Sequence, residues 1–211
     1  MSVTPSKENI LKKIRKALSH STPLPFPKSE GNQSVFLPLQ QELEVEFAEQ
    51  FTKLQGRFAY CVNQRELANQ LSGLVSSRQW TNIYCCEESL KQMLRKNDFN
   101  DFSDVELKDC DCSITSCEAL VARTGSIVLS ANQTQGRTTS VYAPVHICVA
   151  FTHQLVYEIK DALQLLKDKY MGKLPSLISF ATGPSRTADI EKTLVVGVHG
   201  PKEVFLFLTE A

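Results

Sequence analysis

The sequence predicts an α/β domain with a mostly parallel sheet covered by helices. Apolar runs of strand length alternate along the chain with amphipathic helical segments, and this alternation is typical of parallel strands joined by helices. With 211 residues, 42% of them hydrophobic and 22% charged, the chain has the length and balance of one globular domain with its own core.

The N-terminal part of the chain follows a different pattern. Ser6 begins a predicted helix that ends near Leu18, with apolar residues at three- and four-residue steps and basic residues opposite them. Residues 20–38 contain four prolines, which disfavour both a helix and a central strand. We therefore divide the chain into an N-terminal amphipathic helix with a Pro-rich linker, residues 1–38, and an α/β domain, residues 39–211.

The predicted domain alternates between extended and helical patterns. Its front half contains, in order, a helix over 39–54, a strand over 58–62, a helix over 64–75, a strand over 80–85, a helix over 87–94, and an acidic loop over 98–111 with a short strand at 105–107. Its back half contains a short helix over 114–123, a buried strand over 126–131, a polar loop over 132–140, a strand over 145–151, a helix over 155–170, a strand over 177–180, a helical turn over 187–191, an apolar segment over 194–198 and a final strand over 204–208.

The overall charge argues against several classes of partner. Lys plus Arg and Asp plus Glu number 23 each, so no excess of basic charge favours nucleic acid or an anionic membrane. No apolar run approaches the roughly 20 residues of a membrane span, and the N-terminus lacks the apolar core of a signal peptide. We expect a soluble, cytoplasmic protein.

The seven cysteines are expected to be free thiols, mostly buried, because several lie in apolar runs. The closest pairs, at 85–86 and 110–112, lack the C-x-x-C spacing that lets two thiolates bind one metal. His146 and His153 are spaced so that they would lie on opposite faces of one strand. We therefore expect neither an iron–sulfur cluster nor another metal site on this chain.

The strongest candidate for a binding surface is the polar loop Gly183-Pro184-Ser185-Arg186-Thr187-Ala188-Asp189. It follows a strand predicted to be parallel, and ligands in open α/β sheets bind beyond such strand ends. Gly183 lets the backbone approach a ligand, Ser185 and Thr187 offer hydroxyls, and Arg186 offers a bidentate fork for a carboxylate or phosphate. A helical turn here would also direct N–H groups at an anion. Alternatively, a hydroxyl only caps the turn and Arg186 pairs with Asp189.

The second candidate is the turn Gly197-Val198-His199-Gly200-Pro201. An imidazole held between two glycines serves as a general acid or base, or as a donor to an anion. Alternatively, the segment is a plain turn with a structural histidine.

Five further residues belong to the candidate cleft. Thr124 and Gly125 form a turn before a predicted strand, Arg137 lies in a loop placed to close over the cleft, and His146 stands at the start of another predicted strand. Glu118 lies on the predicted helix over 114–123, where it either faces the cleft or, as is more usual for a helical glutamate, faces solvent.

No dinucleotide-binding, P-loop, serine-hydrolase or zinc-protease motif occurs in the sequence. The candidates for catalysis are therefore His199, Arg186 and Glu118, and none of them is a convincing nucleophile.

Four segments resemble the lactate-utilisation (LUD) domain family, the group that contains the C protein of the bacterial lactate-utilisation operon. They are TGSIVL at 124–129, PVHI at 144–147, GPSRTADIE at 183–191 and GVHGP at 197–201. The resemblance covers residues 112–211, and the last two segments are highly specific in combination. It implies a fold like that of sugar-phosphate isomerases, CoA transferases and formyltetrahydrofolate cyclo-ligase.

The resemblance also implies a role in the oxidation of L-lactate to pyruvate, together with two companion proteins, one or both of which carry iron–sulfur clusters. This chain is then expected to be a subunit or accessory protein that binds a small anionic ligand. Because one fold serves many functions, two alternatives stay open. One is a free-standing enzyme of the CoA-transferase or cyclo-ligase type that uses Arg186 and His199, and the other is a ligand-sensing regulator without catalysis.

Overall fold

The computed structural model describes residues 5–19, 38–190 and 193–210. The chain divides into two compact units, Met1–Pro38 and Leu39–Ala211. In the first unit, helix α1 spans Pro5–Leu18 and carries an exposed apolar stripe, as predicted. The predicted Pro-rich linker lies, except for Pro38, outside the described residues. None of the described helices is long and apolar enough to cross a bilayer.

The second unit contains the remaining helices and all the described strands. The helices are α2 (Leu43–Lys53), α3 (Gln64–Arg78), α4 (Glu88–Lys96), α5 (Thr139–Tyr142) and α6 (Ile159–Lys169). The strands are β1 (Arg57–Cys61), β2 (Ile83–Tyr84), β3 (Cys112–Thr115), β4 (Ala119–Val121), β5 (Ser126–Ser130), β6 (Val145–Phe151), β7 (Leu155–Val156), β8 (Ile178–Ala181), β9 (Arg186–Ile190), β10 (Thr193–Val196) and β11 (Glu203–Thr209). Short 3-10 turns lie at Leu107–Asp109, Ala122–Thr124 and Thr152–Gln154.

The centre of this unit is a five-stranded sheet in the order β1-β11-β6-β3-β2, in which every pair is parallel. Helices α3 and α4 cover one face. Leu67 and Leu71 of α3 and Leu94 of α4 pack there against Ile147 and Phe207 of the sheet. The predicted fold class, a mostly parallel sheet with flanking helices, is confirmed.

A second sheet packs on the other face of the first. Its order is β7-β4-β5-β8, and it is antiparallel except for the β4–β7 pair. Leu129 of this sheet and Leu206 of the first share a core with Phe47 and Phe51 of α2. Helix α6 packs on the outer face of the second sheet. The sequence pattern did not indicate this additional layer.

The predicted helix over 114–123 is wrong, because these residues contribute one strand to each of the two sheets. Ile114, Cys117, Leu120 and Val121 are spaced like the apolar side of a helix. In the structure, Ile114 belongs to β3, and Leu120 and Val121 belong to β4, with all three fully buried. A strand that is buried on both faces shows no alternation of polar residues that would distinguish it from a buried helix.

Two other predicted elements also differ. Residues 105–107 form no strand, and the only regular element in the loop is the 3-10 turn Leu107–Asp109, among the residues that the structure describes. The helix predicted to begin at residue 155 begins at Ile159. Leu155 and Val156 instead pair with β4, and Glu158 and Asp161 cap the helix start.

The helical turn predicted over 187–191 is wrong as well. Residues 186–190 form β9, which makes an antiparallel hairpin with β10, while residue 191 lies outside the described part of the chain. Polar and apolar residues alternate from Thr187 to Ile190 of β9 with the period of a strand. Strand β8, which precedes the loop, pairs antiparallel with β5. The loop therefore does not follow a parallel strand.

Gly125 permits close packing between α2 and the turn that leads into β5. It follows the turn Ala122–Thr124 with a φ of 58°, a left-handed backbone that favours glycine. A Cβ at this position would lie 2.5 Å from the backbone nitrogen of Phe51 in α2. Close packing against α2 is therefore sufficient to explain why residue 125 is a glycine. The sequence pattern had placed Gly125 in the candidate cleft.

Gly125→Ala and Gly136→Ala form a matched pair that tests this packing. Both glycines have a positive φ, of 58° and 62°, but a Cβ at Gly136 would meet nothing within 4 Å. We expect Gly136→Ala to lower the free energy of unfolding by about 1 kcal/mol through the backbone alone. Gly125→Ala adds steric overlap and should lower it by about 3 kcal/mol. Urea denaturation measures both, and equal losses would contradict the packing role.

Candidate functional site

A cavity of about 230 Å³ lies where the amino ends of β6 and β11 meet the second sheet. Its polar lining residues are Ser140, His146, Ser179, Ser185 and His199. Its apolar wall is formed by Leu129, Val141, Phe180, Ala181, Pro201 and Val204. A concave, largely apolar surface with a few polar groups is the usual form of a small-molecule site, and we take this cavity as the candidate functional site.

Backbone hydrogen bonds join the two loops that the sequence singled out. The Ser185 N–H donates to the Pro201 carbonyl at 2.9 Å, and the Gly197 N–H donates to the Ser185 carbonyl at 2.9 Å. The Lys202 N–H donates to the Pro144 carbonyl at 2.8 Å, which ties the second loop to the start of β6. The two loops and the end of the parallel sheet therefore form one wall.

Five of the predicted ligand-binding residues line this cavity: Gly183, Ser185, His199, Gly200 and His146. Gly183 has a φ of 85°, and a Cβ on it would overlap the Leu54 carbonyl oxygen. A Cβ on Gly200 would lie 2.9 Å from the Ser185 Cβ. Both glycines therefore permit close backbone approach at the cavity wall.

His146 is fully buried in β6. Its Nε2 lies 2.8 Å from the Thr115 hydroxyl oxygen on the adjacent strand β3. Its Nδ1 has no hydrogen-bond partner among the described residues, and a buried polar atom left unpaired is unfavourable by about 1–3 kcal/mol. Burial lowers the pKa of His146 from 6.5 to about 4, so the ring is neutral at physiological pH.

The rest of the predicted loop lies outside the cavity lining. Arg186 is exposed at the start of β9, Thr187 is half-buried in the same strand, and Pro184 is buried. Asp189 also belongs to β9.

Thr124 and Arg137 make their hydrogen bonds outside the cavity. The Thr124 and Ser126 hydroxyl oxygens lie 2.8 Å apart, and Ser126 in turn meets Thr182 at 2.9 Å. Arg137 donates through Nη2 to the Ser176 hydroxyl at 2.6 Å. These contacts hold loops near the second sheet, and neither Thr124 nor Arg137 lines the cavity.

Glu118 is buried just before β4, not on a solvated helix. It accepts hydrogen bonds from Ser130 at 2.5 Å, Lys169 at 2.6 Å and Tyr170 at 2.7 Å. Burial by itself would raise the pKa of Glu118, but the bonds from Lys169, Ser130 and Tyr170 outweigh it and lower the pKa. Glu118 is thus an ionised carboxylate that ties the end of α6 to the second sheet.

A polar network that the sequence did not reveal lies beyond the carboxyl ends of β2 and β3. Glu87 is buried and accepts from the Ser116 N–H at 2.8 Å and from the Ser116 hydroxyl at 2.5 Å. Gln133 donates to the Ser116 hydroxyl at 3.3 Å, and Gln135 donates to the Ser116 carbonyl at 3.3 Å. A strand prediction for residues 112–115 would have placed Ser116 at a strand end. Polar residues in loops at strand ends are common candidates for functional residues.

The seven cysteines are all free, six of them buried and Cys86 half-buried, which confirms the prediction of mostly buried thiols. Burial raises the pKa of Cys112 and of Cys85 to about 12. Both are therefore unreactive thiols at neutral pH.

The chain is an α/β protein with two stacked sheets, one fully parallel and one mixed. A cavity lies between the ends of these sheets. The chain belongs to the LUD domain family, whose profile matches residues 102–209. The matched segment includes His146 and both loops of the cavity wall.

Two relatives and one solved structure show how far the similarity extends. The chain is 27% identical to "Lactate utilization protein C" of Anoxybacillus flavithermus over 96% of this chain and 97% of that protein. It is 32% identical to the protein of the same name from Bacillus licheniformis, but over only 49% of this chain and 44% of that protein. A crystal structure of a DUF162 family protein from Deinococcus radiodurans superposes with a TM-score of 0.60 at 19% identity, covering 82% of this chain and 99% of that one. This structural likeness bears on the fold alone.

His146 should make stability depend on pH between about 4 and 6.5. Its pKa is lower in the folded state, so as the pH falls below 6.5 the unfolded state binds the proton first and the free energy of unfolding decreases. The loss levels off below the folded pKa at about 3 kcal/mol. Above pH 6.5 the residue contributes no pH dependence.

His146→Gln does not titrate and retains a polar group for Thr115. We therefore expect a smaller fall in unfolding free energy between about pH 7 and 4.5 in this variant than in the parent. Urea denaturation at several pH values measures the difference. Parallel pH profiles for the two proteins would show that His146 does not carry the effect.

Glu118→Gln should destabilise the protein by about 2–3 kcal/mol at neutral pH. The change leaves Lys169 without its carboxylate, but Lys169 is half exposed, so the loss should be smaller than for a fully buried pair. Tyr170→Phe is the matched control because it removes one hydrogen bond to the same carboxylate, worth about 1 kcal/mol. Chemical denaturation compares them, and a Glu118→Gln loss no larger than the control's would contradict this role.

Proposed function

We propose that this protein is a subunit or accessory protein of a system that oxidises L-lactate to pyruvate. The observation that carries the proposal is the nearly full-length match to the Lactate utilization protein C of Anoxybacillus flavithermus. The shorter match to the protein of the same name from Bacillus licheniformis supports it, as does membership of the LUD domain family.

The cavity is where we propose that a small anionic ligand binds. Ser185 and His199 supply polar side chains in the wall made by the two loops. Arg186 follows Ser185 directly and is exposed, and we propose that its guanidinium binds the carboxylate of the ligand.

The reaction itself requires a partner that accepts electrons. Converting lactate to pyruvate breaks the hydroxyl O–H bond and the C–H bond at the same carbon, forms a carbonyl, and releases two electrons and two protons. We assign the electrons to the iron–sulfur clusters of companion proteins, which are suited to electron transfer. We assign ligand binding and assembly with these companions to this chain.

Reconstitution tests this assignment. The purified chain alone should show no lactate oxidation, should co-purify with its companion iron–sulfur proteins, and should raise their lactate-dependent reduction of a dye by at least about tenfold. Arg186→Ala should lower that rate, whereas Lys108→Ala, at an exposed lysine on the turn Leu107–Asp109, should leave it unchanged. Robust lactate oxidation by the chain alone, or no association with the companions, would refute the proposal.

A second candidate function is that of a free-standing enzyme of the CoA-transferase or cyclo-ligase type. The short hydrogen bond from the half-buried Ser116 hydroxyl to the buried Glu87 carboxylate favours it, because it places a nucleophile beside a base. This candidate predicts turnover of an activated acyl compound by the chain alone, and loss of that turnover in Ser116→Ala. Absence of turnover in the parent protein would exclude it.

A further inference from the structure

Helix α1 carries a contiguous stripe of exposed apolar side chains. Ile10, Ile14 and Leu18 follow one another at four-residue steps, and Leu11 lies beside them, so the four side chains share one face of the helix. Their exposed fractions are, in that order, 57%, 48%, 79% and 36%. Single apolar residues are ordinary on a protein surface, whereas a contiguous exposed patch usually marks an interaction surface.

The same helix is strongly basic. It contains five basic residues against the single acidic Glu8, which gives it a net charge of four positive. Lys13 and Arg15 border the apolar stripe on its two sides, and Lys12 lies opposite the stripe. Because Lys plus Arg and Asp plus Glu are equal in the whole chain, at 23 each, α1 is a local basic segment in a chain without net charge.

An anionic lipid surface is the partner that fits both features. The apolar stripe enters the boundary between headgroups and acyl chains, while the cations beside it meet the negative headgroups. A nucleic acid would use the charge but not the stripe. A protein groove would use the stripe, but lysine is depleted in protein interfaces, and four of the five cations of α1 are lysines.

The length of α1 defines how it would lie on such a surface. The helix has 14 residues, fewer than the roughly 20 that a membrane span requires. An amphipathic helix of this kind lies in the plane of the surface, with its apolar face inward.

We infer that α1 is a docking helix for an anionic membrane surface, with Ile10, Ile14 and Leu18 inserted below the headgroups and Lys13 and Arg15 bound to them. The binding is reversible and sensitive to salt, because much of it comes from attraction between the cations and the surface charge. This inference goes beyond the proposed function and depends on neither lactate nor the cavity.

Co-sedimentation of the full chain with vesicles tests the inference. The parent should bind vesicles that contain about one third phosphatidylserine at least tenfold more tightly than vesicles of phosphatidylcholine alone, and added salt should weaken that binding. The double variant Ile10→Gln, Ile14→Gln should bind the anionic vesicles about tenfold more weakly, because two apolar side chains are lost from the stripe. Glutamine is a good helix former, so the helix itself is retained.

Charge reversal supplies a second pair of double variants. Lys13→Glu with Arg15→Glu should weaken binding by about tenfold or more, because two attractive contacts with the headgroups become repulsive. Lys108→Glu with Lys167→Glu changes the net charge of the chain by the same amount at exposed sites in the α/β domain. This control should stay within about threefold of the parent, because charges away from the docking helix are screened by salt.

The inference is overturned if the parent does not bind the anionic vesicles, binds both kinds of vesicle equally, or is matched in binding by either α1 variant. An equal loss in the two charge-reversed proteins would also overturn it. If the α1 variants bind vesicles like the parent but lose association with the companion iron–sulfur proteins, α1 is a protein-docking helix instead. Vesicle binding without lactate-dependent activity in the reconstituted system refutes the proposed function alone, and the reverse result refutes this inference alone.

Discussion

The parallel pairing of β6 with β11 is the constraint on which the rest of the structure depends. Seven consecutive residue pairs, from Val145 with Glu203 to Phe151 with Thr209, join segments that are far apart in the chain. This pairing places Val204 beside His146 and brings the turn before β11 to the end of β8. The cavity lies at the amino ends of this pair of strands, where the second sheet packs on them.

The same packing determines the chemistry of His146. Enclosure between the two sheets removes water from the ring and lowers its pKa to about 4, and Thr115 on the neighbouring strand holds one ring nitrogen. The ring is therefore a neutral imidazole that Thr115 holds in one orientation. An exposed histidine, such as His199, lacks this enclosure. His146 and His199 line the same cavity, but they differ in chemistry because His146 is buried and His199 is exposed.

Local sequence pattern predicted the features that depend on neighbouring residues. Helix α3, strand β6 and the two glycine-containing loops were found, since spacing, capping residues and turn residues identify them. Strands β3 and β4 were mistaken for a helix because they are buried on both faces and show no alternation of polar residues. Strand β9 was mistaken for a helical turn although its partner β10 is adjacent in the chain. The contact between Thr115 and His146 joins residues 31 positions apart, and periodicity contains no information about it. The family resemblance supplied the fold and the loops, but not the position of Glu118 or Ser116.

The central claim is that His146 is neutral and carries its proton on Nδ1, because its Nε2 accepts a hydrogen bond from the Thr115 hydroxyl. A long-range proton–nitrogen NMR spectrum of the ligand-free protein near neutral pH measures this directly, with the exposed His153 as the reference signal. We expect the Nε2 of His146 to show the shift of an unprotonated nitrogen and its Nδ1 that of a protonated one. A ring protonated on Nε2, or on both nitrogens, would contradict the account.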